Sequence, residues 1–149
     1  MRFSDIVVRP IGVVRSGFGQ DVPKGWEDSI SEVHLDARWA AALEGIEEFS
    51  HVVVLFWLNR VRGEPVLRIH PRGRQDNPLV GLFSTRSPRR PNPIGVTVVR
   101  LLERRGNVLQ VQGLDALDGS PVLDLKPYLE RNDRVRGAVM PDWVTGARE

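Results

Sequence analysis

The sequence predicts a mainly β protein, a single-sheet β-barrel of about seven strands with one short helix. Three observations lead there. The apolar stretches are short, rich in Val, Ile and Leu, and parted by Gly, Pro, Asn or Asp. Only one stretch carries helix start and stop signals. A sheet of this size leaves backbone groups unpaired along its edges unless it closes or is covered, and a small barrel hides them most economically. A chain of 149 residues can bury a core without disulfides or metals. It carries no internal repeat, low-complexity tract or linker, so it reads as one domain, 1–149, with a polar tail from about residue 129.

In chain order, the first expected strand covers residues 6–14, with Ile6, Val7, Val8, Ile11, Val13 and Val14 as its apolar positions. A weaker strand follows at 30–35. Asp36 caps the helix, which contains Trp39, Ala40, Ala41, Ala42 and Leu43, and Gly45 ends it. The run 51–58 is apolar almost throughout, and shorter strands are expected at 66–70 and 80–84. Arg105-Gly106-Asn107 separates 96–102 from 108–114, which marks a β-hairpin. The last strand lies at 122–125.

Composition removes several function classes. The absence of cysteine excludes disulfides, thiolate zinc sites, cysteine-ligated clusters and a cysteine nucleophile. His34, His51 and His70 stand apart without metal-ligand spacing, so no metal is expected. No phosphate-binding loop, dinucleotide fingerprint or hydrolase nucleophile elbow occurs. The start Met1-Arg2-Phe3-Ser4-Asp5 and the lack of any apolar run near the roughly 18 residues of a membrane span point to a soluble, cytoplasmic protein. Net charge is only +2, yet lysine occurs only at Lys24 and Lys126, so the positive charge is almost all arginine. Planar guanidinium groups suit phosphate, carboxylate and stacked bases, although a GC-rich genome produces the same bias.

Two segments concentrate chemistry. In Phe83-Ser84-Thr85-Arg86-Ser87-Pro88-Arg89-Arg90-Pro91-Asn92-Pro93-Ile94-Gly95, three prolines preclude helix and central strand, leaving a stiff loop set with arginines, hydroxyls and an amide that suit an anion. The alternative is a proline-rich corner whose arginines face water. The second segment centres on Asp118-Gly119-Ser120-Pro121, a strong turn signal. Downstream, Asp124 and Lys126 share one face if the strand is extended, whether as a surface ion pair or as part of a site.

These two segments, together with Pro10-Ile11-Gly12-Val13-Val14-Arg15-Ser16, Leu43-Glu44-Gly45-Ile46-Glu47-Glu48-Phe49-Ser50-His51 and the continuation Val122-Leu123-Asp124-Leu125-Lys126-Pro127-Tyr128, resemble the ordered motifs of the TrmO-like (YaeB, TsaA-like) family. The resemblance covers most of the chain. It implies a homodimeric single-sheet barrel that transfers a methyl group from S-adenosylmethionine to N6 of threonylcarbamoyladenosine beside the tRNA anticodon. Longer members carry a C-terminal extension with no counterpart before Glu149. Residue by residue, the family's cofactor contacts fall on Arg86, Val96, Leu117, Asp118, Gly119 and Ser120. Two further contact segments depart from the family pattern and fall on Pro23-Lys24 and Asn59-Arg60.

S-adenosylmethionine has a carboxylate for arginine, an ammonium for aspartate or carbonyl groups, and an adenine edge for backbone groups. The arginine loop and the aspartate turn offer those complements, and the expectation is that they hold one methyl donor. Methyl transfer is an in-line displacement in which positioning supplies most of the rate. Asp118 or Asp124 is the candidate acceptor of the departing proton. For tRNA, Arg60, Arg62, Arg68, Arg72, Arg74, Arg89 and Arg90 are candidates for a phosphate track, and Trp26 or Trp57 for base stacking, with core packing as the alternative for both tryptophans. The competing readings are a relative acting on another nucleoside or small molecule, and a non-catalytic RNA-binding barrel.

Overall fold

A computed structural model describes residues 4–145; Met1, Arg2, Phe3 and the end of the polar tail lie outside the described residues. The chain divides into two compact units, Met1–Asn59 with Ile94–Tyr128, and Arg60–Pro93 with Leu129–Glu149.

The first unit is the barrel. Its strands are β1 (Gly12–Arg15), β2 (Ile30–Leu35), β3 (His51–Trp57), β6 (Ile94–Arg105), β7 (Val108–Gln112) and β8 (Pro121–Pro127); β4 (Arg68–Ile69) and β5 (Val80–Gly81) belong to the second unit. The barrel order is β1-β2-β7-β6-β3-β8, closed by antiparallel pairing of β8 with β1. Closure satisfies the edges that an open sheet would expose. Where about seven strands were expected, the described residues form eight: six build the barrel and the two shortest form a separate ribbon.

Strand alternation sorts the core. In β3, Val52, Val54 and Phe56 point inward and are buried, while Val53, Leu55 and Trp57 face outward, half-buried. Val14, Val33, Val99, Leu109, Val111 and Val122 complete the interior from the other strands, and Leu43, Leu114 and Ala116 plug it. Each buried Val, Leu or Phe among these contributes roughly 1.5–3 kcal/mol through burial. Phe56 fills its place because residue 95, opposite it in the β3–β6 register, is glycine: a Cβ there would overlap the ring.

Several local expectations need correction. The first strand is Gly12–Arg15 rather than 6–14, and Ile6, Val7 and Val8 are exposed. The helix after Asp36 is a 3-10 helix, Ala37–Leu43, capped by the Asp36 carboxylate accepting from the Arg38 amide at 3.0 Å. Residues 66–70 and 80–84 form only the β4–β5 ribbon plus a turn of 3-10 helix, Leu82–Ser84. The polar tail contains two short helices, α1 (Glu130–Asp133) and α2 (Asp142–Thr145). Arg134, which follows α1, pairs with Glu130 at i,i+4 with a 2.8 Å contact.

Between Phe56 and Leu55 the β3–β8 register skips a residue: Phe56 pairs with Val122 and Leu55 with Asp124. This bulge turns the strand over. Val122 faces the core, whereas after the bulge Leu125 packs against it and Asp124 and Lys126 face out.

Candidate functional site

In the barrel unit, the turn at Leu117–Ser120 is pinned by the strand and loop that begin the chain. The Asp118 amide donates to Phe18 O and the Gly119 amide to Val14 O, both at 2.9 Å, and Val14 N donates to Ser120 O at 2.9 Å. The Asp118 carboxylate accepts from the Ser16 amide at 3.1 Å and has Arg15 at 3.8 Å. Ser16 Oγ donates to Ala116 O and accepts from the Phe18 amide. Gly119 sits at φ 81, where a side chain strains the backbone, and a Cβ there would meet only open space. The turn is therefore rigid, carries a held carboxylate, and leaves room beside Gly119. Thr97 Oγ1 donates to Asp115 Oδ1, tying the start of this segment to β6 next to Val96. Val96 is half-exposed on the outer face of the barrel.

Asp124 is not part of that turn. Leu55 of β3 stands between it and Val96 in the cross-strand row. Its carboxylate pairs with Lys126 at 2.8 Å, and this hydrogen bond raises the Lys126 pKa. Pro23 and Lys24 lie exposed in the loop before β2, and Asn59 and Arg60 are exposed where the chain leaves β3.

The second unit holds the arginine loop. Arg90 braces it from within, donating to Thr85 O at 2.9 Å and Ser87 O at 3.3 Å while its guanidinium lies 5.5 Å from the Phe83 ring centroid. Thr85 Oγ1 donates to Leu82 O and accepts from the Ser87 amide. Arg89 donates to Glu64 O at 2.9 Å. Arg74 is paired with Asp76 at 2.8 Å, which draws the Asp76 carboxyl below its ordinary range. Arg86 is different. It is exposed, and it has no hydrogen bond or ion pair among the described residues. It lines a cavity of about 740 Å3 with Ile69, Pro71, Arg72, Phe83, Ser87 and Trp143. The segment Arg60–Pro93 carries Arg60, Arg62, Arg68, Arg72, Arg74, Arg86, Arg89 and Arg90 against only Glu64 and Asp76, so this unit concentrates positive charge that the net +2 conceals.

Two cavity residues escaped the sequence reading. Trp143 sits in the polar tail, where a lone tryptophan was the available signal. Arg72 was placed only on a phosphate track; its special position comes from its backbone, the sole non-glycine residue at positive φ among the described residues, which nothing in the composition announces.

Among the described residues no group of three or more histidine, cysteine or acidic side chains lies together as metal ligands, and no helix is long and apolar enough to cross a membrane.

The family profile described as the tRNA-methyltransferase O N-terminal domain matches residues 19–134, which include both the arginine loop and the aspartate turn. The chain belongs to the TrmO family. A crystal structure of TrmO from Pseudomonas aeruginosa superposes with a TM-score of 0.78 at 34% identity, covering 95% of this chain and 63% of that one. The chain thus spans less than two thirds of the solved TrmO. A probable S-adenosyl-L-methionine-binding protein of Methanothermobacter thermautotrophicus is 48% identical over 133 residues, 87% of this chain and 94% of the relative. A protein of Archaeoglobus fulgidus named S-adenosyl-L-methionine-binding protein is 42% identical over 134 residues, with 87% and 94% covered.

Proposed function

We propose that this TrmO-family chain is an S-adenosylmethionine-dependent methyltransferase that methylates N6 of threonylcarbamoyladenosine in tRNA. Family membership carries the methyltransferase class and the donor, since relatives covered almost end to end are named for binding S-adenosylmethionine. The tRNA acceptor is the finer step, supported by the arginine concentration in Arg60–Pro93 and by the family's own description.

The residues fit the donor's chemistry. Arg86 offers a guanidinium not spent on another side chain among the described residues, suited to a carboxylate. Asp118 offers a carboxylate held by a backbone amide, suited to an ammonium, and the space beside Gly119 admits close approach to the backbone. We assign Arg86, Val96, Leu117, Asp118, Gly119 and Ser120 to donor binding. S-adenosylmethionine supplies an electrophilic methyl carbon; the protein's part is to bind, orient and exclude water. Asp118 accepts from the Ser16 amide with Arg15 nearby, and Asp124 is paired with Lys126, so at either carboxylate a departing proton competes with a neighbouring cation.

We also assign a cytoplasmic homodimer. The half-exposed outer row of β6, Ile94, Val96 and Val98, lies beside Trp57, Leu55 and Val53 of β3 and forms an apolar face suited to a second copy. The family match runs through both compact units without a break, which supports treating them as one functional domain. Mass spectrometry of tRNA from a deletion strain tests the acceptor: threonylcarbamoyladenosine that keeps its usual methylation refutes it. Calorimetric titration with S-adenosylmethionine tests the donor.

A further inference from the structure

The cavity lined by Arg86 has more in it than one arginine requires. It lies wholly within the second unit, and its volume of about 740 Å3 falls inside the roughly 300–1,000 Å3 typical of small-molecule sites. Its walls are apolar and aromatic, from Ile69, Pro71, Phe83 and Trp143. Phe83 is 77% exposed although Arg90 backs its ring, an arrangement that holds a large apolar surface open to solvent. Trp143 comes from α2, beyond the family-matched residues 19–134.

Arg72 adds a second cation. It lines the same cavity at φ 60 and ψ 19, a conformation that a non-glycine residue adopts at a cost and that clusters at functional sites. The fold holds it there: Pro71 is buried, Asn77 Nδ2 donates to Pro71 O at 2.9 Å, and the Gly73 amide donates to His70 O at 3.0 Å. Two guanidinium groups on an aromatic wall select a planar base that carries an anionic arm.

We propose that Arg72 and Trp143 make this cavity a receptor for a purine nucleoside bearing a carboxylate arm, with Trp143 and Phe83 taking the base and Arg72 the carboxylate. The assignment rests on the function proposed above, because both the methyl donor and a threonylcarbamoylated acceptor have that chemistry. It goes further in naming two residues outside the family's cofactor motifs.

Calorimetric titration of the full chain tests it with three probes: S-adenosylmethionine, the free threonylcarbamoyladenosine nucleoside and plain adenosine. Arg72→Gly is the decisive variant, since glycine accepts the positive φ and the side chain is removed without added backbone strain. It should weaken one of the two carboxylated nucleosides by about ten-fold or more while leaving adenosine unchanged, and Arg72→Lys should recover part of the loss. The nucleoside affected says whether the cavity serves donor or acceptor. Trp143→Ala should weaken that nucleoside and adenosine together, and Trp143→Phe should restore both. If the wild type binds neither carboxylated nucleoside, or if either Arg72→Gly or Trp143→Ala binds both like the wild type, the proposal is overturned. Should the wild type methylate tRNA while these affinities stay unchanged, this inference fails and the function stands. Should the affinities fall in a protein that methylates no tRNA, the cavity stands and the acceptor assignment fails.

Discussion

Adding one methyl group at Gly95 tests whether the barrel interior is packed as described. The Gly95→Ala Cβ would lie 2.6 and 2.9 Å from two Phe56 ring carbons, against the roughly 3.5–4.0 Å of an ordinary carbon contact. The ring must retreat by about 1 Å, but it is 2% exposed in a filled core. Overpacking of this kind costs about 1–3 kcal/mol. At about 2–4 °C per kcal/mol for a chain of this size, the melting temperature should fall by roughly 2–12 °C. Circular dichroism melts and urea titrations measure the change. Phe56→Leu also destabilises on its own by loss of burial and a residual cavity, yet it gives the alanine methyl room. The double variant should therefore be more stable than the sum of the single effects implies, by at least about 0.5 kcal/mol. A Gly95→Ala protein as stable as the wild type, or strictly additive effects, refutes the packing argument.

At the site, Arg86→Ala should raise the Kd for S-adenosylmethionine roughly ten- to hundred-fold by calorimetry, the scale of a lost charged hydrogen bond. Arg74→Ala, whose guanidinium is spent on Asp76, should leave it unchanged, and the reverse pattern would refute the assignment. Gly119→Ala should cost about 1–2 kcal/mol in urea titration from left-handed strain alone, because the space beside it is open; a neutral effect contradicts the φ of 81. Hydrogen bonds from Arg38 lower the Asp36 pKa to about 2 from an ordinary 3.8. With the folded pKa depressed, the cap is fully present above the ordinary value and lost as pH falls through about 2, so the Arg38 amide resonance should titrate with that low midpoint. For tRNA, Arg68→Gln should weaken binding across sequences and reduce the log–log salt slope by about one if Arg68 meets a phosphate, measured by filter binding.

The barrel was legible because its signals are local and repeated. β3 reads as a strand from the unbroken apolar run 52–58, and the β6–β7 hairpin from Gly106 between two apolar runs. Failures came where tertiary context decides. Ile6, Val7 and Val8 have strand composition but no partner strand, so composition alone misplaced the start of β1. Asp124 and Lys126 were expected on one face and are, but their contrast with buried Val122 depends on a bulge that only the β3 register reveals. Asp118 and Gly119 were legible through turn chemistry and Arg86 through its proline-braced loop. The cavity joining Arg72 to Trp143 was not, since it brings together residues far apart in the chain.

The most direct test of the account is methyl transfer itself. Purified protein incubated with S-adenosylmethionine and unmethylated threonylcarbamoyladenosine-containing tRNA should add one methyl to that nucleoside, seen by nucleoside mass spectrometry, and Arg86→Ala should slow the transfer at low donor concentration. Folded protein that binds S-adenosylmethionine yet leaves the nucleoside's mass unchanged contradicts the proposed acceptor.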